Sequence, residues 1–584
     1  MRIKLVGINA RFSHSCLALF YVRNEVERHC PGVEIELCQL TINDPYYETL
    51  LRLSDGSPDC ICFSAAIWNS ERVAALIRDL AVCLPNCHLL VGGPQASELG
   101  RTLEPGLCTV VIGDVEGLGP DFFADLVART LRSEYRGSFW GAGRRVLDFP
   151  YRADDFGEHL LHRNIYYESS RGCPFACSYC LSAAERGLFH KELEQVFAEL
   201  GSILAHRPTV LRFVDRTFND RPERALAIWR FLIGQDSSTL FHFEIAPDRF
   251  NEEMFDFLAT VPPGRFQFEV GIQSTHEATL RAINRTMDSK VAGKTVRRLA
   301  SLQNIFLHVD LILGLPYEDW EAFLCSFSEV FAMGGQYIQM GVLKLLPGTP
   351  MVATATETGA LACAGPPYTI VANRWLDHVS LRELYWFCEC VERFVNNRYF
   401  CSLWDWLRRS PEDPATFFLA LLECAQKHDF FDRAPTQELL TEVLAGLLAV
   451  RPDAPLLLGL LRHDWLRCGH RFLPPSLAPV AELQWQKTLR DELYRTLPVE
   501  WLGIYSGAER NHFLKKAMFA SFPVDVLVAL GHACPGDHGV LAFGPERDQG
   551  LYRWQQVILL AGGQKLAMEG RAPGFGLSSE SLAK

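Results

Sequence analysis

Apolar residues in the first 135 positions fall into two alternating rhythms. Short continuous apolar runs at 2–8, 33–39, 59–65, 87–92 and 109–113 predict buried strands. Between them, 15–29, 70–83 and 120–132, with a weaker segment at 46–53, carry apolar residues at helical spacing. Strands alternating with helices predict a parallel, doubly wound, Rossmann-like sheet, where ligands bind beyond the carboxyl ends of the strands. The loops expected there include Ser64 to Asn69, Gly92-Gly93-Pro94 and Gly113-Asp114.

From 136 to 164 the rhythm lapses into Gly, Arg, Asp and aromatic residues, as in a linker. It resumes with strands predicted at 165–169, 210–215, 240–245, 265–271, 306–313 and 336–344. The intervening helices fit 190–206, 222–234, 251–260, 276–284, 288–303 and 318–332. Six such units predict a partial (β/α)6 barrel. Beyond about 365 helical periodicity dominates, with a small sheet or hairpin expected at 538–569. The expected division is therefore 1–135, a linker at 136–164, a barrel at 165–365 and a mainly helical region at 366–584. The aromatic residues of that last region, such as Trp375, Trp386, Trp404 and Trp406, read as core. The region is expected to cap the barrel mouth.

Composition narrows the class. Of 584 residues, 48% are hydrophobic and 22% charged, as in a globular protein of two or three domains. A net charge of −12 argues against a nucleic-acid partner, although a local basic groove is compatible with it. The opening apolar run is interrupted by Asn9, Arg11 and His14, unlike an export signal, and no run reaches membrane-spanning length. A cytoplasmic location without membrane association is expected. Most of the 19 cysteines sit singly in apolar stretches and read as buried thiols.

Three cysteines differ. In Glu168-Ser-Ser-Arg-Gly-Cys173-Pro-Phe-Ala-Cys177-Ser-Tyr179-Cys180, intervals of three and two residues let one loop bring three thiolates around an iron–sulfur cube. Soft thiolates suit zinc as well, but a structural zinc wants four protein ligands, and no fourth Cys or His stands nearby at finger spacing. The loop follows a predicted strand on the face where barrel enzymes build their sites.

This motif resembles the radical S-adenosylmethionine (radical SAM) superfamily, with Tyr179 at the aromatic position. The resemblance implies a 4Fe–4S cluster on Cys173, Cys177 and Cys180, whose open iron chelates S-adenosylmethionine for one-electron cleavage to a 5′-deoxyadenosyl radical. It extends along the barrel through Phe213 to Asn219, Phe243-Glu244, Glu269-Val-Gly-Ile-Gln273-Ser274, Ala282 to Arg285, Gly314-Leu315-Pro316 and Leu345 to Pro350. By that resemblance Tyr179, Asp215, Arg216, Glu244, Glu269, Gln273, Ser274 and Leu315 are expected to contact S-adenosylmethionine. No individual catalytic side chain is assigned.

The N-terminal segment resembles the cobalamin-binding domain of cobalamin-dependent radical SAM enzymes. Asn9, Ser64, Trp68, Asn69, Gly92, Gly93, Pro94 and Gly113 stand where that family's strand-end loops stand. Two departures are visible. Ser13-His14-Ser15-Cys16 lacks the Asp and Gly of the Asp-x-His-x-x-Gly signature, so His14 is not expected to ligate cobalt. Gly113-Asp114-Val-Glu116 replaces a Gly-Glu-Gly-Glu pattern, leaving Glu116 matched. The helical region resembles a domain of unknown function attached to one subgroup of such proteins.

These resemblances imply an enzyme that functionalises an unactivated carbon of a small-molecule or peptide-derived substrate. Methyl transfer through methylcobalamin is the leading outcome, beside ring formation or rearrangement, with a flavodoxin or ferredoxin as reductant. Two alternatives stand beside it: a cobalamin-independent radical SAM enzyme with a relic N-terminal domain, and a non-catalytic iron–sulfur or electron-transfer protein.

Overall fold

The first strand, β1 (Arg2–Asn9), is almost entirely buried, and no turn interrupts its apolar run. In the computed structural model it lies inside a six-stranded parallel sheet of order β2-β1-β3-β4-β5-β6, with β2 (Glu34–Thr41), β3 (Cys60–Ser64), β4 (His88–Gly92), β5 (Thr109–Gly113) and β6 (Glu134–Gly137). The crossovers include α1 (Leu17–His29), α2 (Tyr46–Ser54), α3 (Ser70–Cys83), α4 (Ala96–Thr102) and α5 (Pro120–Ala128). Strand β6 was not expected, and it enters the segment read as linker. Its side chains alternate exposed and buried, so it has no continuous apolar run to announce it. The structure describes residues 1–141, 147–183, 187–477, 489–491, 493–495, 513–532, 536–545 and 555–560.

The chain divides into two units. The first comprises Met1–Asn251, Arg281–Thr286 and Val342–Arg374. Beyond the sheet just described, it holds β7 (Ile165–Tyr167), a hairpin of β8 (Ser170–Cys173) and β9 (Gly187–His190), then α6 (Leu193–Leu204), β10 (Val210–Phe213), α7 (Pro222–Ile233) and β11 (Leu240–Ile245). Strands β7, β10 and β11 run parallel. Buried Arg23 of α1 ties the expected linker down, with its guanidinium on both oxygens of Asp155 at 2.5 and 2.8 Å and on the Pro150 carbonyl at 3.1 Å.

The second unit comprises Glu252–Leu280, Met287–Gly341 and Trp375–Lys584. It holds α8 (Glu252–Leu258), β12 (Phe266–Gln273), α9 (Ser289–Leu302), β13 (Ile305–Leu313), α10 (Trp320–Met333) and β14 (Tyr337–Val342). Strands β12 and β13 are parallel, with a register shift between Gly271 and Gln273. All six strand–helix units expected of the barrel are therefore present, three strands in each unit. Five helices follow: α11 (His378–Phe394), α12 (Cys401–Arg409), α13 (Pro414–Lys427), α14 (Gln437–Ala449) and α15 (Ala454–Arg467). An antiparallel sheet of Met518–Pro523, His538–Pro545 and Gln555–Leu560 ends the described chain. It includes part of the expected 538–569 sheet, of which 546–554 and 561–569 lie outside the described residues. Among the described residues no helix is long and apolar enough to cross a membrane.

Candidate functional site

The three cysteines follow from a hairpin the sequence did not announce. Strand β8 pairs Cys173 with Gly187 of β9, and the described residues 174–183 follow β8 toward β9. Behind the hairpin, Asp215 fixes the strand end. It is 1% exposed, and its carboxylate accepts the Ser169 N–H at 3.0 Å and the Ser169 and Ser170 hydroxyls at 2.6 Å each. Burial pushes its carboxyl above the usual range, against the three hydrogen bonds. Lower still, buried Lys191 and the Tyr167 hydroxyl both engage Glu199 Oε2 at 2.7 Å. Polar pairs thus anchor the loop from beneath.

The loop itself is well enclosed. Cys177 is buried, Cys173 and Cys180 half-buried, and all three are free thiols. Burial pushes the Cys173 thiol up, with the Cys180 and Cys177 sulfurs adding in the same direction. The Tyr179 phenol is pushed up by burial and feels the same two sulfurs. The three cysteines therefore share one locality. Yet among the described residues no three His, Cys, Asp or Glu side chains stand close enough to grip a single metal ion. Thiolates on separate corners of a cube stand farther apart than ligands of one ion, so a cube suits the donor set better than zinc does.

A second segment reaches the loop from far along the chain. Ile283 accepts the Ser178 N–H at 2.9 Å, Asn284 donates to the Ala176 carbonyl at 2.8 Å, and Arg285 Nη1 lies 3.6 Å from Cys177 Sγ. Beside the loop, Arg216 is 3.8 Å from Glu244, a half-exposed pair of opposite charges. Tyr179, Arg216 and Glu244 thus lie with the cysteines in the first unit, whereas Asp215 is committed to the strand end. Glu269, Gln273, Ser274 and Leu315 belong to the second unit. There Glu269 pairs in register with His308, Gln273 adopts φ 72° at the register shift, and Leu315 is fully buried. Ser274 is fully buried and donates to Glu318 at 2.5 Å.

The other centre of the first unit is a cavity of about 200 Å³ at the carboxyl ends of β3, β4 and β5. Apolar residues such as Leu5, Val22, Leu90 and Val111 line most of it, together with Ser64, Gly92, Gly93 and Gly113 from the expected cobalamin set. Gly93 (φ +93°) lies where a Cβ would sit 2.7 Å from the Ala65 carbonyl, and at Gly113 (φ +88°) a Cβ would strike the Gly137 carbonyl. Tyr21 also lines the cavity, and its buried hydroxyl has no hydrogen-bond partner among the described residues.

The remaining expected cobalamin residues serve the strand ends. Asn9 donates to Gln39 at 3.0 Å. Asn69 donates to the Ile8 and Ser64 carbonyls at 2.9 and 3.1 Å and accepts the Ala66 N–H. Trp68 donates from its indole to the Ile8 carbonyl at 3.1 Å while its ring stays 55% exposed, and Pro94 is exposed. His14 shares a 2.5 Å hydrogen bond with the Tyr166 hydroxyl through Nδ1, and burial lowers its basicity.

Cavity and cysteine hairpin meet at one residue. Arg171 lines the cavity, stands two positions before Cys173, and pairs with Glu168 at 2.9 Å, Glu116 at 3.0 Å and Asp114 at 3.5 Å. Sequence reasoning quoted Arg171 and Arg285 inside motifs without giving either a role. Beyond the local Glu168, Arg171 reaches Glu116 across 55 positions and Arg285 reaches Cys177 across 108, pairings no local pattern carries.

With this geometry in view, comparison with known proteins is informative. Residues 167–325, which hold all three cysteines, match the Radical SAM superfamily. The chain carries a radical SAM domain. Residues 359–541 match a protein of unknown function family, DUF4080. The cobalamin-dependent radical SAM methyltransferase TokK of Streptomyces tokunonensis is 24% identical over 338 residues, 51% of this chain and 49% of the relative. The hopanoid C-3 methylase of Methylococcus capsulatus is 30% identical over 172 residues, 26% of this chain and 32% of the relative. The chain thus spans half or less of the length of these relatives. Among solved structures, the cobalamin-dependent S-adenosylmethionine radical enzyme OxsB with aqua-cobalamin and S-adenosylmethionine bound matches with a TM-score of 0.53 at 14% identity, covering 88% of this chain and 82% of that one. That likeness shows the α/β fold.

Proposed function

We propose that this protein is a cobalamin-dependent radical SAM enzyme that functionalises an unactivated carbon, with methyl transfer as its reaction. One observation carries the reading. A three-thiol hairpin loop of the radical SAM domain and a strand-end cavity of the Rossmann-like sheet lie in one unit and share Arg171. An electron-transfer protein would have no use for the second of these. The methyltransferase relatives support the same class.

Cys173, Cys177 and Cys180 hold the 4Fe–4S cluster, and the donor set fits it. The thiols must lose protons when the cluster is loaded, so iron uptake should fall at low pH. Tyr179 and the Arg216–Glu244 pair offer S-adenosylmethionine an aromatic edge and opposite charges for its carboxylate and amino groups. Asp215 acts indirectly, by holding Ser169 and Ser170 so that Cys173 leaves the strand in one direction. The Gly92-Gly93 and Gly113 turns let cobalamin approach the backbone, and the exposed Trp68 ring offers a flat face. The mostly apolar cavity beside these turns would receive part of the cofactor. When bound, these groups supply a 5′-deoxyadenosyl radical and a transferable methyl group. The chain supplies orientation and exclusion of water. A flavodoxin- or ferredoxin-type reductant and a small-molecule or peptide-derived substrate complete the proposal.

The test is anaerobic reconstitution with iron, sulfide and hydroxocobalamin, followed by metal analysis and product analysis with S-adenosylmethionine under reduction. Near-stoichiometric cobalt, with both 5′-deoxyadenosine and S-adenosylhomocysteine formed, is the expected result. Cleavage of S-adenosylmethionine without bound cobalt would replace this reading by the cobalamin-independent one.

A further inference from the structure

Three consecutive residues of the segment Arg281–Thr286 clasp the cysteine loop, and they do so in two different ways. Ile283 and Asn284 address backbone, at Ser178 and Ala176, and so hold the loop's shape. Arg285 addresses sulfur. Its Nη1 is 3.6 Å from Cys177 Sγ, and its guanidinium lies 5.8 Å from the centre of the Phe175 ring in the same loop. Cys177 is the most enclosed of the three cysteines, at 6% exposure. Cys173 meets neutral groups, the Thr217 hydroxyl at 3.7 Å and the Phe175 backbone N–H. Asp248 is one opposing charge in Arg285's field, after the Tyr179 and Cys177 groups.

We propose that Arg285 sets the reduction potential of the cluster by directing a charge-assisted N–H···S contact at the Cys177 thiolate; this rests on the cluster assignment above. Adding an electron makes a thiolate-bound cluster more negative. A half-buried cation beside one enclosed sulfur stabilises that state more than the oxidised one, and reduced screening enlarges the difference. The potential therefore rises and the cluster becomes easier to reduce. Arginine suits the task because its charge is permanent and its planar fork keeps one N–H aimed while the ring of Phe175 supports its face. Asp248 offsets part of this field. The assignment makes Arg285 a positioning and tuning residue that need not touch substrate.

The experiment is a redox titration of anaerobically reconstituted protein followed by electron paramagnetic resonance, with iron content measured on the same samples. Arg285→Gln is expected to keep iron and shift the midpoint to more negative potential, with Arg285→Lys falling between it and wild type. Asp248→Asn is expected to shift the midpoint in the opposite direction, which loss of loop structure would not do. If Arg285→Gln loses iron, the sign of the Asp248→Asn shift decides the matter. Unchanged midpoints in iron-replete Arg285→Gln, or in Asp248→Asn, would overturn the proposal. Wild-type protein that takes up no cluster would overturn the cluster assignment beneath it, a distinguishable failure.

Discussion

Arg171 Nη1 lies 3.0 Å from the Glu116 carboxylate, joining the turn after β5 to the strand that ends at Cys173. Glu168 holds the same guanidinium through two 2.9 Å hydrogen bonds, and the rings of Tyr21 and Phe139 lie 5.5 and 5.0 Å from it. Burial pushes the Glu116 carboxyl up, and only Arg171 pulls it strongly back. Arg171→Met therefore strands buried carboxylates, a change that costs about 3–5 kcal/mol when one partner of such a pair is removed. The midpoint of urea unfolding should fall accordingly, and iron and cobalt retention should fall together. Arg171→Lys restores little, because a point charge cannot span Glu168 and Glu116 with a rigid fork. Loss of one metal alone would contradict this account.

Much of this was legible in the sequence, because the two periodicities are strong. The segment 70–83 was expected as a helix and Ser70–Cys83 is one, and the strand expected at 240–245 is Leu240–Ile245. What escaped was fixed by long-range pairing. Hairpin β8–β9 has four half-buried residues in its second strand and no alternation to reveal it. Asp215 looked like a ligand-facing polar residue, and its commitment to Ser169 and Ser170 depends on 45 residues of intervening chain folding back. Ser274 was read as a contact from its motif, yet it is sealed against Glu318, whose position no local rule links to it.

Cys177→Ala should lose the cluster and all cleavage of S-adenosylmethionine, whereas Cys83→Ala, at an exposed helix end, should change neither. Iron per chain and 5′-deoxyadenosine yield measure the two effects. Full cleavage by Cys177→Ala would remove it from the ligand set.

The Ser274–Glu318 pair predicts a pH effect. Glu318 is fully buried, and burial raises its carboxyl from 4.5 to about 7, although the Ser274 and Ser326 hydroxyls at 2.5 and 3.0 Å partly offset that. Its folded pKa lies above its unfolded one, so the folded state holds the proton longer. Stability from this group is complete below 4.5 and declines as pH rises through about 7. Glu318→Gln keeps the Oε1 acceptor used by both serines and cannot ionise. Its stability relative to wild type should grow across that interval, by on the order of 3 kcal/mol. Denaturant midpoints of both proteins at pH 5 and pH 8 test this, and a constant difference would contradict it.

Truncation after Arg374 tests the helical region, which shares the second unit with β12–β14. Phe327 and Phe331 of α10 pack their rings against Phe418 at 5.5 and 5.6 Å, and Phe327 meets Phe387 at 4.9 Å. Asn396 donates to the Ile338 carbonyl at 2.8 Å and accepts its N–H at 2.9 Å, while the Tyr337 hydroxyl donates to Glu392 at 2.8 Å. Removing the helices exposes these phenylalanines, each contributing about 1.5–3 kcal/mol by burial, and strips β14 of side-chain partners. A region serving only as a cap would leave the cluster intact when deleted. The shared core instead predicts that residues 1–374 give aggregated protein with little bound iron. Asn396→Ala isolates one link, orphaning the Ile338 backbone at about 1–3 kcal/mol. Soluble yield, circular dichroism and iron content of both proteins measure the effect. A soluble 1–374 fragment with wild-type iron would show that the helices are dispensable to the barrel.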